Sequence, residues 1–330
     1  MVKLSDFYKK DNGSPEEKPR TAASPLPPAK EPAQIIKENL KVEDAEASAK
    51  LYSGAIEAVE EIISVVKNKE SLNVAALKTI AERLADQVVL GNTGLVKFAI
   101  QLTSDNYLVG HLVNTAILTL EVAAGMNYTS LQLKDLSLAV LLYDIGMAQL
   151  EDIYSQPRKL TDEEYIRIKE HPLLGAEILT QIKNLPLTAA VIATQHHERL
   201  DGTGYPRGMR ADELNEFSRL VAVVDVFEAL IHLRPFRKGM VPYDALKEMF
   251  AIKEGFDQQI LKVLIERIGV YPIGSWVQLS TNEIAAVIAV NRLSPLRPVV
   301  RIAEEKTLDL SKNPTLYIKR AVSREGLHGQ

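Results

Sequence analysis

The stretch from His196 to Pro206 reads HHERLDGTGYP and sets the interpretation of the whole chain. It joins two adjacent imidazoles, a carboxylate and a turn-forming Gly-Thr-Gly within one short segment. The chain has only six histidines, and four of them, His111, His171, His196 and His197, lie near an acidic residue or a turn. Because imidazole and carboxylate groups are common ligands of transition metals, this pattern predicts a metal site.

Composition limits the other functions that the chain can have. A length of 330 residues with 46% apolar residues predicts a globular protein of one to three domains. The net charge of -4 gives no global basic field, which argues against a general DNA-binding or RNA-binding role. The absence of cysteine excludes disulfides and thiolate ligands, so that histidine and carboxylate side chains are the strong ligands left.

No targeting or membrane segment is evident in the sequence. The first ten residues, MVKLSDFYKK, lack the apolar core of a signal peptide. No run approaches the roughly 18 uninterrupted apolar residues of a membrane span. We therefore expect a cytoplasmic protein that does not contact the membrane.

Four segments differ in composition. Residues 1–32 are rich in Pro and charged residues and predict a disordered tail. Residues 33–91 carry apolar residues at helical spacing, for example Ile56, Val59 and Ile63, and predict a helical segment that serves as packing scaffold or as a homodimer interface. Residues 92–270 continue as helices, and residues 271–330 change to β-branched runs that predict a small antiparallel sheet.

Apolar periodicity and turn residues place the individual elements. Helices are predicted over Leu95–Met126, Leu131–Ile145, Asp162–Lys169, Pro172–Gln181, Leu187–His196, Glu216–Leu233, Pro242–Ile252 and Gln258–Ile268. Strands are predicted over Trp276–Leu279, Ala286–Val290, Val299–Ile302 and Leu316–Ile318. Residues 92–270 should therefore be almost entirely α-helical.

Six short motifs, in this order, resemble the HD-GYP family of cyclic-di-GMP phosphodiesterases. They are GHLVN at residues 110–114, YDIG at 143–146, HPLLGA at 171–176, HHERLDGTGYP at 196–206, VDVFEAL at 224–230 and RPFR at 234–237. The resemblance extends from about His111 to about Phe256. The chain departs from the family in two places, because Tyr143 stands where the name-giving His-Asp pair has its histidine, and Met147 stands where the family often has lysine.

The resemblance implies a fold and a set of ligands. The fold is mainly α: an HD-superfamily helical bundle with a helical N-terminal layer and a small antiparallel β extension. One or two divalent ions, iron or manganese, would be bound. Asp144 would be the catalytic, bridging carboxylate, His111 and Asp225 would belong to one ion, and His171, His196 and His197 would hold the other.

Each candidate ligand also has a structural interpretation. His111 lies among apolar helix residues and could be a hydrogen-bonded core histidine. His171 precedes a proline and could simply begin a helix. Adjacent residues on a helix point about 100° apart, so His196 and His197 could lie one inside and one outside unless a helix ends there. Buried carboxylates such as Asp144 and Asp225 are costly without a cation or a donor, which favours the ligand role for both.

The same family resemblance assigns residues to the nucleotide. Gly204, Tyr205 and Pro206 would form a loop beside the nucleotide pocket that also contacts diguanylate-cyclase domains in this family. Its structural alternative is an ordinary tight turn. Arg234 and Arg237 could clamp phosphate or stack on guanine, or could form a solvated helix end.

Tyr143 decides between the functional hypotheses. A phenol ionises near pH 10 and is a poor substitute for a neutral imidazole ligand. We therefore expect a cyclic-di-GMP signalling protein that binds nucleotide or a protein partner with weak or no phosphodiesterase activity. The alternative is an active metal-dependent phosphodiesterase that forms pGpG or GMP, and a third hypothesis is a structural metal protein that binds no nucleotide.

Overall fold

The computed structural model describes residues 42–101, 106–234, 237–252, 254–302 and 306–322. The predicted disordered tail at residues 1–32 lies outside these residues. The described chain is mainly α-helical and carries a small antiparallel sheet near its C-terminal end. The predicted fold class is therefore confirmed.

The helices follow the sequence prediction, except that the single helix predicted over Leu95–Met126 is two helices, because Asn106 caps a new helix that begins at Tyr107. They are α1 (Val42–Lys67), α2 (Ala75–Val89), α3 (Gly94–Gln101), α4 (Tyr107–Gly125), α5 (Ser130–Val140), a 3-10 helix (Ile145–Leu150), α6 (Glu151–Tyr154), α7 (Asp162–Ile168), α8 (His171–Thr180), α9 (Leu187–Gln195), α10 (Glu216–Ile231), α11 (Pro242–Ala251) and α12 (Gln258–Ile268). Of these, α4 is the central helix, since its residues from Leu108 to Ala123 are all buried.

Helix α4 passes the length and composition test for a membrane span, alone among the helices of the described ranges. However, 89% of its most apolar 18-residue window is buried inside the protein. Helices α1, α2, α5 and α10 pack around it. The apolar run therefore belongs to a core helix.

The N-terminal helices share the core of the helical bundle. Leu51, Ala55 and Val59 of α1 and Leu84 of α2 are buried in one hydrophobic cluster with Leu112 of α4. The scaffold role proposed for residues 33–91 therefore has a packing basis in α1 and α2. The division between residues 91 and 92 stays a prediction.

One helix ends earlier than its pattern predicts. The expected helix Leu131–Ile145 stops at Val140, and the chain turns before the 3-10 helix begins at Ile145. Apolar residues continue through this turn because it is buried on every side, so that periodicity alone cannot mark the end. The turn brings Asp144 to the first turn of α8 instead of leaving it inside a helix.

The sheet has the order β4-β3-β2-β1-β5 and is antiparallel throughout. Its strands are β1 (Trp276–Leu279), β2 (Ile284–Ala289), β3 (Val299–Ile302), β4 (Lys306–Asp309) and β5 (Ile318–Val322). The prediction missed β4, which is polar and lies at an edge, and placed β5 too early, at Leu316–Ile318. One face of the sheet buries a second hydrophobic cluster that includes Val277, Leu279, Val287 and Val300.

Candidate functional site

All six predicted ligands meet at one buried place between four helices. His111 lies in the middle of α4, and Asp225 lies in the middle of α10. Asp144 immediately precedes the 3-10 helix, and His171 is the first residue of α8. His196 and His197 follow the last residue of α9, where the helix has ended, so both rings turn inward.

A close approach of two backbones brings Asp144 to His171. A Cβ atom at Gly146 would overlap the carbonyl oxygen of His171 and lie 2.6 Å from the nitrogen of Gly175. Only glycine leaves room for this contact. The glycines of the YDIG and HPLLGA motifs therefore have a packing role that sets the distance between two candidate ligands.

Two imidazoles of the site present lone pairs to each other. His171 donates its Nδ1 proton to the carbonyl of Ile168 at 2.6 Å, and His196 donates its Nδ1 proton to Ala193 at 2.8 Å. In the neutral tautomer this leaves each Nε2 as an acceptor. The two Nε2 atoms are 3.1 Å apart, and Asp144 Oδ1 lies 3.1 Å from Nε2 of His171 and 3.9 Å from that of His196.

Burial keeps these imidazoles uncharged near neutral pH. It lowers the pKa of His171 to about 3, with a further contribution from His196, and it lowers the pKa of His196 to about 4. Burial, followed by the other two rings, also lowers the pKa of His197 well below its usual range. Three neutral imidazoles therefore converge with Asp144, whose own pKa is raised well above its usual range by burial, so that its ionised form needs a positive partner.

This arrangement fits a divalent cation. The ligand nitrogens of His171, His196 and His197 all lie within 4.8 Å of one another. Within the described part of the chain, Asp144 Oδ1 and His197 Nδ1 are buried and have no hydrogen-bond partner. A cation would satisfy these atoms and offset the repulsion between acceptors. Nitrogen and oxygen ligands suit iron, manganese or zinc.

Tyr143 occupies the other half of the predicted two-ion site. Its side chain is completely buried, and its hydroxyl oxygen lies 2.7 Å from His111 Nε2 and 2.7 Å from Asp225 Oδ1. The phenol donates to Asp225 and accepts from the imidazole. His111 Nε2 and Asp225 Oδ1 are themselves 3.0 Å apart, and His111 Nδ1 bonds to Glu228. His111 and Asp225, which were predicted to hold the first ion, are therefore hydrogen-bonded to each other and to neighbouring side chains.

The charges of this half-site differ from those of the histidine cluster. Burial alone would lower the pKa of His111, but the carboxylates of Glu228 and Asp225 outweigh it and raise that pKa well above its usual range. Burial, with Asp225 and Asp144, raises the pKa of Tyr143 well above 10. An imidazolium and a neutral phenol thus occupy this half, and the phenolate form that could bind ferric iron is disfavoured.

The sequence analysis missed Glu228, although the residue is part of a quoted motif. Glu228 is buried three residues after Asp225 and lies on the same face of α10. Its Oε1 accepts from Asn114 at 3.1 Å and lies 2.9 Å from Nδ1 of His232. An i, i+3 pair of carboxylates on an apolar helix face was the available signal.

Three of the five predicted nucleotide-contacting residues border a pocket next to this site, whereas Gly204 and Pro206 are not among the residues that line it. Its wall includes Tyr205, Met147, Arg234 and Arg237. The Tyr205 ring stacks on His197 with centroids 4.6 Å apart. The Arg234 guanidinium lies 4.0 Å above the ring of Tyr107, whose role the sequence analysis did not foresee.

The two arginines of the RPFR motif do different things. Arg234 reaches Glu228, with 3.6 Å between Nη2 and Oε2, and lies 3.4 Å from Nδ1 of His111. Arg237 donates to the carbonyls of Ala229 and Leu230 at the end of α10. Arg237 therefore has the helix-end role that was its structural alternative, while it also borders the pocket.

The Gly-Tyr-Pro loop folds back on the segment that follows α9. A Cβ atom at Gly204 would overlap the backbone of residues 197–199, which explains why a glycine is needed. The buried carboxylate of Glu198 accepts hydrogen bonds from the backbone nitrogens of Arg207 at 2.7 Å and Met209 at 3.0 Å. Pro206 follows Tyr205 in this anchored loop. The loop thus holds Tyr205 against His197.

This chain is similar to proteins that are already known. The HD domain family matches residues 97–260, and the KOW domain associated with HD domain matches residues 276–330. A cyclic di-GMP phosphodiesterase of Pseudomonas aeruginosa is 30% identical over 293 residues, which cover 87% of this chain and 70% of the relative. A second cyclic di-GMP phosphodiesterase, of Borreliella burgdorferi, is 29% identical over 220 residues, which cover 66% of this chain and 57% of that protein.

Other relatives broaden the comparison. A 3'3'-cGAMP-specific phosphodiesterase of Vibrio cholerae is 35% identical over 135 residues, or 41% of this chain and 29% of the relative. A solved HDG"Y"P protein from Bdellovibrio bacteriovorus shares the fold with a TM-score of 0.58 at 19% identity, over 70% of this chain and 74% of the other. With the six motifs assembled in one site, the chain belongs to the HD-GYP family of HD domain proteins.

Proposed function

We propose that this chain is a cyclic-di-GMP signalling protein that binds the nucleotide, holds one divalent ion and has weak or no phosphodiesterase activity. One observation carries the proposal: the Tyr143 hydroxyl lies 2.7 Å from both His111 Nε2 and Asp225 Oδ1. Those are the atoms that a first ion would need. The phosphodiesterase names of the relatives support the nucleotide class.

Electrostatics supports a single ion. Two-metal phosphodiester hydrolysis places the phosphate between two cations that stabilise the attacking and leaving oxygens. In this chain one of those positions contains a phenol between an imidazole and a carboxylate. Losing even an indirect partner of a metal ligand costs roughly 10- to 100-fold in affinity or activity, so losing a ligand should cost at least as much.

The remaining residues have roles in binding. His171, His196, His197 and Asp144 would hold an iron or manganese ion, which when bound supplies positive charge against phosphate and acidifies water. Arg234 offers a second positive group to phosphate, and Tyr205 offers a ring to a base. The chain's own groups would thereby bind and orient a cyclic dinucleotide.

An active phosphodiesterase is the second candidate. The complete set of His171, His196, His197 and Asp144 beside a pocket favours it, since one ion could still activate water. A structural metal protein would bind the ion and no nucleotide. Contacts between the Gly-Tyr-Pro loop and diguanylate-cyclase domains, a homodimer through the N-terminal helices and a cytoplasmic location remain further proposals.

The test compares the chain with its Tyr143→His variant. Both are loaded anaerobically with iron or, separately, with manganese, and metal content, cyclic-di-GMP affinity and pGpG release are measured. Cyclic GMP-AMP is included because one relative acts on it. His196→Ala serves as the control that should lose the ion in both backgrounds.

The expected result is one ion and nucleotide binding without rapid turnover in the natural chain, and more metal with faster turnover in the Tyr143→His variant. Rapid pGpG release by the natural chain would overturn the proposal in favour of the enzyme. Metal binding without affinity for either cyclic dinucleotide would favour the structural protein.

A further inference from the structure

A chain of buried hydrogen bonds runs from the first described helix to the half-site that Tyr143 fills. The hydroxyl of Tyr52 on α1 donates to Asn114 Oδ1 at 2.8 Å. Asn114 Nδ2 donates to Glu228 Oε1 at 3.1 Å, and Glu228 Oε2 bonds to His111 Nδ1. His111 Nε2 then reaches the Tyr143 hydroxyl at 2.7 Å. Four side chains thus connect α1 to the site.

Tyr52 connects the N-terminal helices to the site from outside the HD domain match. It lies outside residues 97–260, which the HD domain family matches, and it is 6% exposed beneath the ring of Phe98. Asn114 is 1% exposed, so that water is excluded as an alternative partner. A buried hydrogen bond of this kind decides orientation because leaving either group unpaired is costly.

The amide of Asn114 links Tyr52 to Glu228, and its two ends differ chemically. The oxygen accepts and the nitrogen donates, and the two are otherwise nearly equal in shape. A donor at Tyr52 holds the oxygen toward α1, which turns the nitrogen toward the Glu228 carboxylate. Without that donor only the bond to Glu228 would hold the amide, and Asn114 could shift and move the carboxylate with it.

We propose that Tyr52 is a positioning residue for the site, acting through Asn114 and Glu228 on His111 and Arg234. Glu228 contacts both of these groups, since Arg234 Nη2 lies 3.6 Å from its Oε2. A displacement of α1 would therefore change the imidazole that faces Tyr143 and the guanidinium that borders the pocket. The N-terminal helices would by this route influence ligand affinity as well as provide packing.

The test substitutes Tyr52→Phe, which removes the hydroxyl and keeps the ring. Tyr128→Phe is the matched control, because the Tyr128 hydroxyl is buried and has no hydrogen-bond partner among the described residues. Two signals are measured: the ring-proton and ring-nitrogen NMR resonances of ¹⁵N-histidine, with His111 assigned by His111→Asn, and cyclic-di-GMP affinity. The nucleotide measurement rests on the proposed function, whereas the resonance of His111 does not.

We expect Tyr52→Phe to shift the His111 resonances and to weaken nucleotide affinity by about three- to tenfold, less than the 10- to 100-fold of a direct ligand partner. Tyr128→Phe should change neither. Asn114→Ala should produce a similar loss, and adding Tyr52→Phe to it should cost nothing further because both act in one chain of bonds.

Unchanged His111 resonances in a folded Tyr52→Phe protein would overturn the positioning role. Additive losses in the Tyr52→Phe, Asn114→Ala double variant would also contradict it, because independent effects add. If the natural chain binds no cyclic dinucleotide while Tyr52→Phe still shifts the His111 resonances, the proposed function fails and the positioning role stands.

Discussion

At the scale of single residues, the site combines two kinds of buried polar chemistry. Around His171, His196 and Asp144, acceptors face acceptors, so the arrangement needs a cation or a proton to offset their repulsion. Around Tyr143, donors and acceptors alternate, and the groups satisfy one another. The Tyr143 hydroxyl, the His111 imidazole and the Asp225 carboxylate therefore form a hydrogen-bond network in this half of the site.

The Tyr143 hydroxyl should contribute measurably to folding stability. Tyr143→Phe would remove its bonds to a buried imidazole and a buried carboxylate, and should lower the free energy of unfolding by about 1.5 to 3 kcal/mol, the usual range for hydrogen bonds to charged groups. Urea titration of the metal-free protein measures the change. Tyr128→Phe, which loses a hydroxyl without a partner in the described chain, should have little effect. Equal effects of the two variants would contradict the role given to the Tyr143 hydroxyl.

Metal binding should depend on the two halves of the site unequally. Manganese at about 100 times its Kd should stabilise the natural chain by about 2.7 kcal/mol, because the ion binds only the folded site. His196→Ala should abolish this gain, whereas His111→Asn should retain it. Each variant is compared with its own metal-free form by thermal unfolding. A gain lost equally in both variants would mean that His111 is also a ligand.

The sequence was informative about which residues meet, but less so about how they interact. The family resemblance of the motifs implied all six candidate ligands, and they lie together. The roles of Tyr143, Glu228 and Asn114 could not be predicted, because they depend on how α1, α4 and α10 pack. A hydrogen bond between residues 62 or 114 positions apart leaves no periodicity in the sequence.

At the scale of elements, short connections place the functional groups. The turn after α5 presents Asp144, the end of α9 presents both His196 and His197, and the loop after it holds Tyr205. Helix interiors supplied clear periodic signals, so most of their bounds were predicted within a few residues, whereas the start of α4 at Tyr107 was missed. The early end of α5 and the polar edge strand β4 were missed because burial on all sides and exposure at an edge each remove the usual pattern.

The Glu198 carboxylate should control the order of the Gly-Tyr-Pro loop. Glu198→Ala removes the acceptor of two backbone N–H groups, those of Arg207 and Met209, at a buried position. Loss of a bond worth about 1.5 to 3 kcal/mol should speed amide exchange at these residues by about 10- to 100-fold. Hydrogen exchange followed by mass spectrometry or NMR measures this rate.

Glu213 provides the control for that experiment. Its carboxylate accepts from Arg210 N at 2.8 Å in the same loop, but at an exposed position where water can replace it. Glu213→Ala should therefore change exchange much less. If both variants loosen the loop equally, burial of Glu198 has no special part in holding Tyr205 against His197.

At the scale of the whole molecule, two hydrophobic clusters divide the described chain. The large cluster joins the helices from α1 to α12, and the smaller one belongs to the sheet. Contacts between them include the stacked rings of Tyr243 and Tyr271, 5.6 Å apart, and a long hydrogen bond from Gln101 to the carbonyl of Ile273. These contacts are few beside the packing inside either cluster, which favours separate unfolding of the sheet.

Paired core substitutions test this division. Leu279 is fully buried in the sheet cluster and Leu118 is fully buried on α4, so each Leu→Ala change should cost about 2 to 5 kcal/mol where it lies. Leu279→Ala should speed amide exchange in the strands and leave the manganese-induced stabilisation of the helices unchanged. Leu118→Ala should instead speed amide exchange throughout the helices, because α4 lies at the centre of the large cluster. If Leu279→Ala sped amide exchange in α4 as much as Leu118→Ala does, the two clusters would unfold as one unit.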